Sequence, residues 1–257
     1  MNTLQQPLHR TFAKSYQEEI LLSRIVGEIS HQSLTLQVTI KAGVAVTIVD
    51  DLEVHAIQEG SLEFCLEEKA SLNLRMRSLY GLYRISSAGQ NDYIIPAYQT
   101  RFTEQQISSS KQVELKRFLI IRFLGDRAAA DVRYACFGSG EKNFKFTVLQ
   151  DHQAEHTTSK VVVRSVLEEQ SQLFCKGLIH IRKDAQHTHA ELENKNILLG
   201  DQARAVSIPT LEIEANDVVC KHGAAISKLD AEQFFYLQSR GIDGTSARIM
   251  LIESFLQ

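Results

Sequence analysis

Lys160-Val-Val-Val-Arg-Ser-Val166 is a β-branched run, too short and too stiff at its side chains to read as a helix. Similar runs lie on either side of it. They include Val44-Ala-Val-Thr-Ile-Val49, Ser61-Leu-Glu-Phe-Cys-Leu66, Ser71-Leu-Asn-Leu-Arg-Met76 and Phe144-Lys-Phe-Thr-Val148. Several alternate strictly, which puts one row of side chains in a core and the next in water. From about Ile25 to about Ile226 such runs recur about every 8 to 12 residues, an all-β signature.

The turns between them narrow the choice of fold. Tight hairpins favour Asn-Gly or Asp-Gly. Asn-Gly is absent, and the sole Asp-Gly is Asp243-Gly244 near the C-terminus. Short, evenly spaced strands with few hairpin turns suit a solenoid, in which each rung stacks on the last. The repeat is degenerate, and on pattern alone a β-sandwich fits as well.

The period changes in the last thirty or so residues. Asp230-Ala-Glu-Gln233 has a carboxylate at an N-cap position and Gln three residues later, as in a capping box. Phe234, Leu237 and Gln238 follow at helical spacing, and Gly241 stands where a helix would end. A second helix is expected from about Thr245 to Leu256, with Ala247, Met250, Leu251 and Phe255 on one side. Its apolar face needs cover, from the β body or from a partner. The expected organisation is an N-terminal arm or short helix over 1–24, a β core over 25–226 and a helical hairpin over 227–257.

Bulk properties exclude several functions. The chain has 257 residues, 44% of them hydrophobic and 23% charged, enough for a sizeable core. A net charge of −3 and the lack of a basic, aromatic-rich run argue against nucleic-acid binding. No apolar stretch approaches the roughly 18–20 residues that span a bilayer; Phe118 to Leu124 is the longest block, and Arg122 interrupts it. Met1 to Lys14 carries no apolar signal core, so the expected location is cytoplasmic. Cys65, Cys136, Cys175 and Cys220 lack CxxC spacing and are expected as free thiols.

Cys220 and His222 form the sharpest chemical constellation. Residues i and i+2 of a strand share a face, about 7 Å apart along the backbone. A thiolate and an imidazole so placed can both reach one metal centre, and His can replace Cys on a cluster iron. A lone Cys-x-His is also a common structural accident, since a buried Cys often acts as a small hydrophobe. His187 and His189 have the same spacing and read as a polar face; His152 and His156 read as structural. There is no GxxxxGK[ST], GxGxxG or GxSxG, so no ATP site and no enzyme signature is expected. A β-helix carbohydrate-active enzyme would need facing carboxylates and stacking aromatics; there is no Trp and only 7% aromatic content. A purely structural β-helix adaptor with inert Cys and His is the remaining alternative.

Thr210-Leu-Glu-Ile-Glu-Ala-Asn-Asp-Val-Val-Cys-Lys-His-Gly-Ala224 and Lys228-Leu-Asp-Ala-Glu-Gln-Phe-Phe-Tyr-Leu-Gln-Ser-Arg-Gly-Ile242, followed by Ala247-Arg248, resemble the SufB/SufD family of the SUF iron–sulfur assembly system. His156-Thr-Thr-Ser159, Gly177-Leu-Ile-His-Ile181, Ala185-Gln-His-Thr-His-Ala190 and Asn196-Ile-Leu-Leu199 match in order. The Cys-x-His-Gly form resembles the SufD branch. The resemblance runs from about Val113 to the C-terminus; up to about Ser110 the chain reads only as generic strands. It implies a right-handed parallel β-helix with a small C-terminal helical module, acting as a non-catalytic scaffold. It further implies pairing with a SufB-type subunit through the β-helix, or self-pairing as a homodimer. The ATPase SufC would dock on the helices, with Phe234, Leu237, Met250, Leu251 and Phe255 as candidate contacts. The implied cargo is a transient iron–sulfur cluster shared with the partner chain, with His222 as the favoured ligand and Cys220 the secondary one. A reduced flavin in the assembled complex is also implied, on no particular residue.

Overall fold

The computed structural model describes residues 8–26, 33–50, 59–79 and 113–257. The parts of the expected arm and β core at 1–7, 27–32, 51–58 and 80–112 lie outside the described residues. In chain order the elements begin with β1 (Leu8–Phe12), β2 (Ile20–Leu21), α1 (Leu22–Val26), β3 (Ser33–Ile40), β4 (Ala45–Val49), β5 (Glu59–Leu66) and β6 (Ser71–Leu79). They continue with β7 (Val113–Phe123), β8 (Ala129–Gly138), β9 (Lys142–His152), β10 (Thr158–Leu167), β11 (Gln172–Ile181), β12 (His189–Leu198), β13 (Arg204–Ile213) and β14 (Val219–Ser227). Two helices close the chain, α2 (Ala231–Ser239) and α3 (Gly244–Leu256). β1 and β2 fall within the segment 1–24 expected as an arm or short helix, and α1 crosses its end.

Odd-numbered strands form one seven-stranded sheet, β1-β3-β5-β7-β9-β11-β13. Even-numbered strands form the other, β14-β12-β10-β8-β6-β4-β2. Every pairing among the described strands is parallel. The chain thus alternates between two faces of a parallel β-solenoid of about six turns, and the sandwich alternative is set aside. Thr158 pairs with Ala129 below and His189 above, steps of 29 and 31 residues. Ser71 pairs with Ala129 across a longer step of 58, which takes in residues 80–112.

Alternation builds the core. In β3 the pattern of exposure is strictly out-in, with Leu36, Val38 and Ile40 buried. Register stacks like side chains in columns through the lumen: Ile40, Leu66, Phe123, His152 and Ile181 form one. Each fully buried Phe or Leu contributes roughly 1.5–3 kcal/mol.

One corner repeats in five successive rungs. Gly43, Lys69, Arg127, His156 and His187 all have φ between 55° and 70°. Their amides donate to the next rung in turn, as in Lys69 N–H to Asp126 O at 2.8 Å and Arg127 N–H to Glu155 O at 3.0 Å. The residue that follows is small or β-branched and turns inward: Val44, Ala70, Ala128, Thr157 and Thr188 are all buried. Side-chain polarity did not disclose this ladder, because four of its five members are not glycine.

A charged ladder runs along the outer face of the odd sheet. Asp151, only 2% exposed, accepts from Arg122 Nη1 at 3.0 Å, Arg182 Nε and Nη2 at 3.2 Å, and Gln153 Nε2 at 2.7 Å. Burial alone would raise its pKa, but these donors outweigh that effect and hold its carboxyl below the usual range.

The two helices pack on each other, and α3 joins them to the β body. Asp230 caps α2 by accepting from the amides of Glu232 and Gln233, the N-cap half of the expected capping box, and Gly241 follows its C-terminus at φ 83°. α3 lies against β10 on the outer face of the even sheet. There Phe137, Val166 and Ile197 form an outward apolar column that Ile252 covers, flanked by Phe255 and Leu256. Arg248 pairs with Glu168 at 3.0 Å, and Arg164 lies 5.3 Å from the Phe255 ring centre. The expected packing stripe of α3 needs one correction. Ala247 and Ile252 are the buried residues, while Met250 is 47% exposed.

Candidate functional site

The last rung of the solenoid carries the site. β14 pairs with β12 on one side, placing Cys220 over Ala190 and His222 over Leu192. Those columns face the lumen: below Leu192 lie Val161, Val132 and Leu74, all buried. Cys220 and His222 therefore share a face, as their spacing predicts. They stand where the core ends, because β14 is the terminal strand of its sheet among the described residues.

The His222 ring reaches across the lumen to the opposite sheet. A Cβ added to Gly177 would stand 2.7 Å from His222 Nε2 and 2.6 Å from Leu192 Cδ1. Gly177 on β11 thus leaves the space that the imidazole and leucine fill. Nδ1 and Nε2 are both buried with no hydrogen-bond partner of proper geometry among the described residues. Burial lowers the His222 pKa, an effect only partly offset by the adjacent Gly177 backbone, and so favours neutral imidazole. Burial raises the Cys220 thiol pKa. A neutral imidazole has a lone pair ready for a metal, whereas the thiol must lose its proton to bind.

No group of three or more His, Cys, Asp or Glu side chains among the described residues is arranged to hold a metal ion. Cys220 and His222 offer two donors, which fit a soft metal centre in kind but not in number. The other cysteines are free and apart from them. Cys175 lies in the odd sheet beneath Ser207, its thiol pushed up to about 12 by burial. Cys65 and Cys136 are buried further down the solenoid. His187 sits in the corner ladder, paired with Asp217 at 2.9 Å and stacked on His156 at 4.7 Å, while His189 opens β12.

Among the candidate docking residues, Phe234, Leu237 and Leu251 are partly buried. Phe255 packs on the β body, and Met250 is exposed. Sequence reasoning passed over Phe235 and Tyr236, which are 71% and 56% exposed on α2. It also passed over Gly177, whose role arises from a contact 45 positions along the chain.

Residues 24–255 match the family described as SUF system FeS cluster assembly, SufBD core domain. The match extends well N-terminal of the stretch that carried the resemblance. An iron–sulfur cluster assembly SufBD family protein of Synechocystis sp. is 30% identical over 150 residues, 58% of this chain and 30% of that protein. The iron–sulfur cluster assembly protein SufD of Escherichia coli is 35% identical over 105 residues, 41% of this chain and 25% of that protein. SufD of Bacillus subtilis is 29% identical over 132 residues, 51% of this chain and 30% of that protein. The matched stretches span 25–30% of the length of these relatives.

Proposed function

This chain belongs to the SufBD core domain family of the SUF iron–sulfur cluster assembly system, and from that membership we propose that it is a SufD-type, non-catalytic scaffold subunit of that machinery. The observation that carries the reading is the last rung, where Cys220 and His222 face the lumen on the terminal strand and neither His222 ring nitrogen has a well-formed hydrogen bond among the described residues. The SufD assignment draws on the Cys-x-His-Gly sequence and on two relatives named SufD.

In this reading the nascent cluster is cargo, held between chains. His222 and Cys220 supply two ligands, and the paired chain, a SufB-type subunit or a second copy, supplies the others. Two donors bind weakly enough for later transfer, which a resident cofactor with a complete ligand set would resist. Any reduced flavin belongs to the assembled complex. ATP hydrolysis comes from SufC, docked on α2 and α3 through Phe234, Leu237, Met250 and Leu251, with Phe235 and Tyr236 as added contacts. Phe255 supports that surface from beneath, since it already packs on the β body.

The test is co-purification with SufB- and SufC-type partners, comparing wild type with His222→Ala for assembly and for iron and sulfide content. Assembly with loss of iron and sulfide is expected. Normal filling of the variant sinks the ligand assignment, and failure of wild type to bind either partner sinks the SUF reading. Removal of residues 230–257 is expected to abolish SufC binding and leave β-helix pairing intact; retained SufC binding overturns the docking assignment.

A further inference from the structure

An apolar patch spreads over the outer face of the odd sheet, across β7, β9, β11 and β13. Exposure alternates along each strand, so the residues between the buried ones point to water. Phe118, Ile120, Leu149, Phe174, Leu178 and Ile208 all do so, with Phe118 and Phe174 each 37% and Ile208 40% exposed. Register stacks Ile120, Leu149 and Leu178 in one column and sets Phe118 and Ile208 in the next. The even sheet treats its outer face differently. Its apolar column is covered by α3, and beside that column stand Arg133, Lys160, Arg164 and Glu193. Two flanks of opposite charge border the odd-sheet patch. Lys116, Lys145 and Arg204 lie toward the starts of the strands, and Glu212 and Glu214 toward the end of the last one. The two lysines share Glu114, and Glu214 reaches the His180 ring at 3.6 Å. Among the described residues neither Arg204 nor Glu212 has an ion pair.

We infer that this face is an interface for a second copy of the chain, packed sheet on sheet along the side of the stack. A two-fold axis parallel to the solenoid axis lays rungs of equal height against each other. It turns the basic flank of one copy onto the acidic flank of the other. Arg204 of one copy then stands opposite Glu214 of the other, and Leu149 and Leu178 lie near the axis. A two-fold along the strands would instead set lysine against lysine. The charges therefore select both the occupant and its orientation, because the face is complementary to itself. Sheets packed in this way lie about 10 Å apart and bury their facing side chains. A contiguous apolar patch otherwise stays in water, which is uncommon on a monomer. The face looks away from the lumen, so self-association here leaves Cys220 and His222 open to the partner proposed above.

The test is sedimentation equilibrium of the chain, wild type against two sets of variants, each checked for native circular dichroism. A dimer is expected for wild type. Leu149→Lys puts a charge in the middle of the face without entering the core, and is expected to weaken the dimer about tenfold or more. Arg204→Glu is expected to weaken it roughly three- to tenfold, and Arg204→Glu with Glu214→Arg to restore it. A chain that stays monomeric at every concentration overturns the inference. So does a dimer indifferent to Leu149→Lys, which places self-association elsewhere. A dimer that the double variant fails to restore overturns the two-fold arrangement. A monomer whose Leu149→Lys variant loses the SufB-type subunit gives the face to that subunit and overturns self-pairing. Co-purification with the SufB- and SufC-type partners is read separately, and the scaffold reading stands or falls on it alone.

Discussion

At the scale of single residues, the lumen holds polar groups in quite different circumstances, with His152 satisfied in mid-stack and His222 unsatisfied on the last rung. His152 is fully buried, with Nδ1 2.7 Å from Thr157 Oγ1, Nε2 2.9 Å from Ser159 Oγ, and its ring stacked on Phe123 at 4.1 Å. Burial, against the smaller opposing pull of Asp151, pushes its pKa down to about 3 from 6.5. The unfolded chain therefore takes up a proton that the folded one refuses. The resulting stability is complete above about pH 6.5 and falls by roughly 1.4 kcal/mol per pH unit as pH drops toward 3. Asp151, whose folded pKa is also lowered, adds to the same acid loss. Denaturant titration at stepped pH checks this, and His152→Asn is expected to remove most of the slope. His222 differs because no rung covers it. Gly177→Ala is expected to cost about 1–3 kcal/mol by overpacking against Leu192 and His222, and to shift the His222 imidazole resonances. Unchanged resonances would mean the ring does not occupy that space.

At the scale of elements, the corner ladder and α3 show what the sequence disclosed and what it hid. Alternation in β3 or β12 is plain from the residues, so strand existence was legible. Rung stacking was not, because parallel pairing joins residues about 30 positions apart and leaves no local signal beyond loose periodicity. The left-handed corner was hidden for another reason: Lys69, Arg127, His156 and His187 occupy it where a reader expects glycine or asparagine. Arg127→Gly is expected to be neutral or stabilising, and Arg127→Val to cost about 1–2 kcal/mol, by thermal melting. The docking of α3 did leave a trace. Cys136-Phe137, Val166-Leu167 and Ile197-Leu198 break the alternation, putting apolar groups on both faces of the even sheet, and Ile252 covers the outward set. Its spacing from Met250 is what a helical wheel drawn without the body misjudges. Ile252→Ala is expected to destabilise by about 2–4 kcal/mol and to raise proteolysis at the α2–α3 junction.

At the scale of the whole molecule, a solenoid is close to one-dimensional, so each rung draws stability from its neighbours and the terminal rung has only one. The Cys220–His222 pair was legible in the sequence as a same-face spacing. Its place at the end of the β core was legible as well, because helical spacing takes over directly after about Ile226; that the His222 ring reaches across the lumen to Gly177 was not, since that contact joins positions 45 apart. The end is visibly incomplete: Val206, Ile208, Leu211 and Ile213 of β13 are each 40–48% exposed, and Val219 and Ile226 of β14 are 48% and 53% exposed. Such surface contributes little to the isolated chain, and its burial awaits a partner. Amides bonded within the last rung, Arg204 and Val219 among them, are therefore expected to exchange through local opening well below the global unfolding free energy. Amides of β9 and β10 in the middle of the stack are expected to exchange only through global unfolding. Binding of the partner solenoid should raise last-rung protection toward that of the middle and leave the middle unchanged until the complex itself dissociates. Native-state exchange over a denaturant series separates the cases. A steep denaturant dependence shared by Val219 and Val163 in the free chain would mean that the last rung unfolds only with the whole. The open end would then be a finished surface rather than half of an interface.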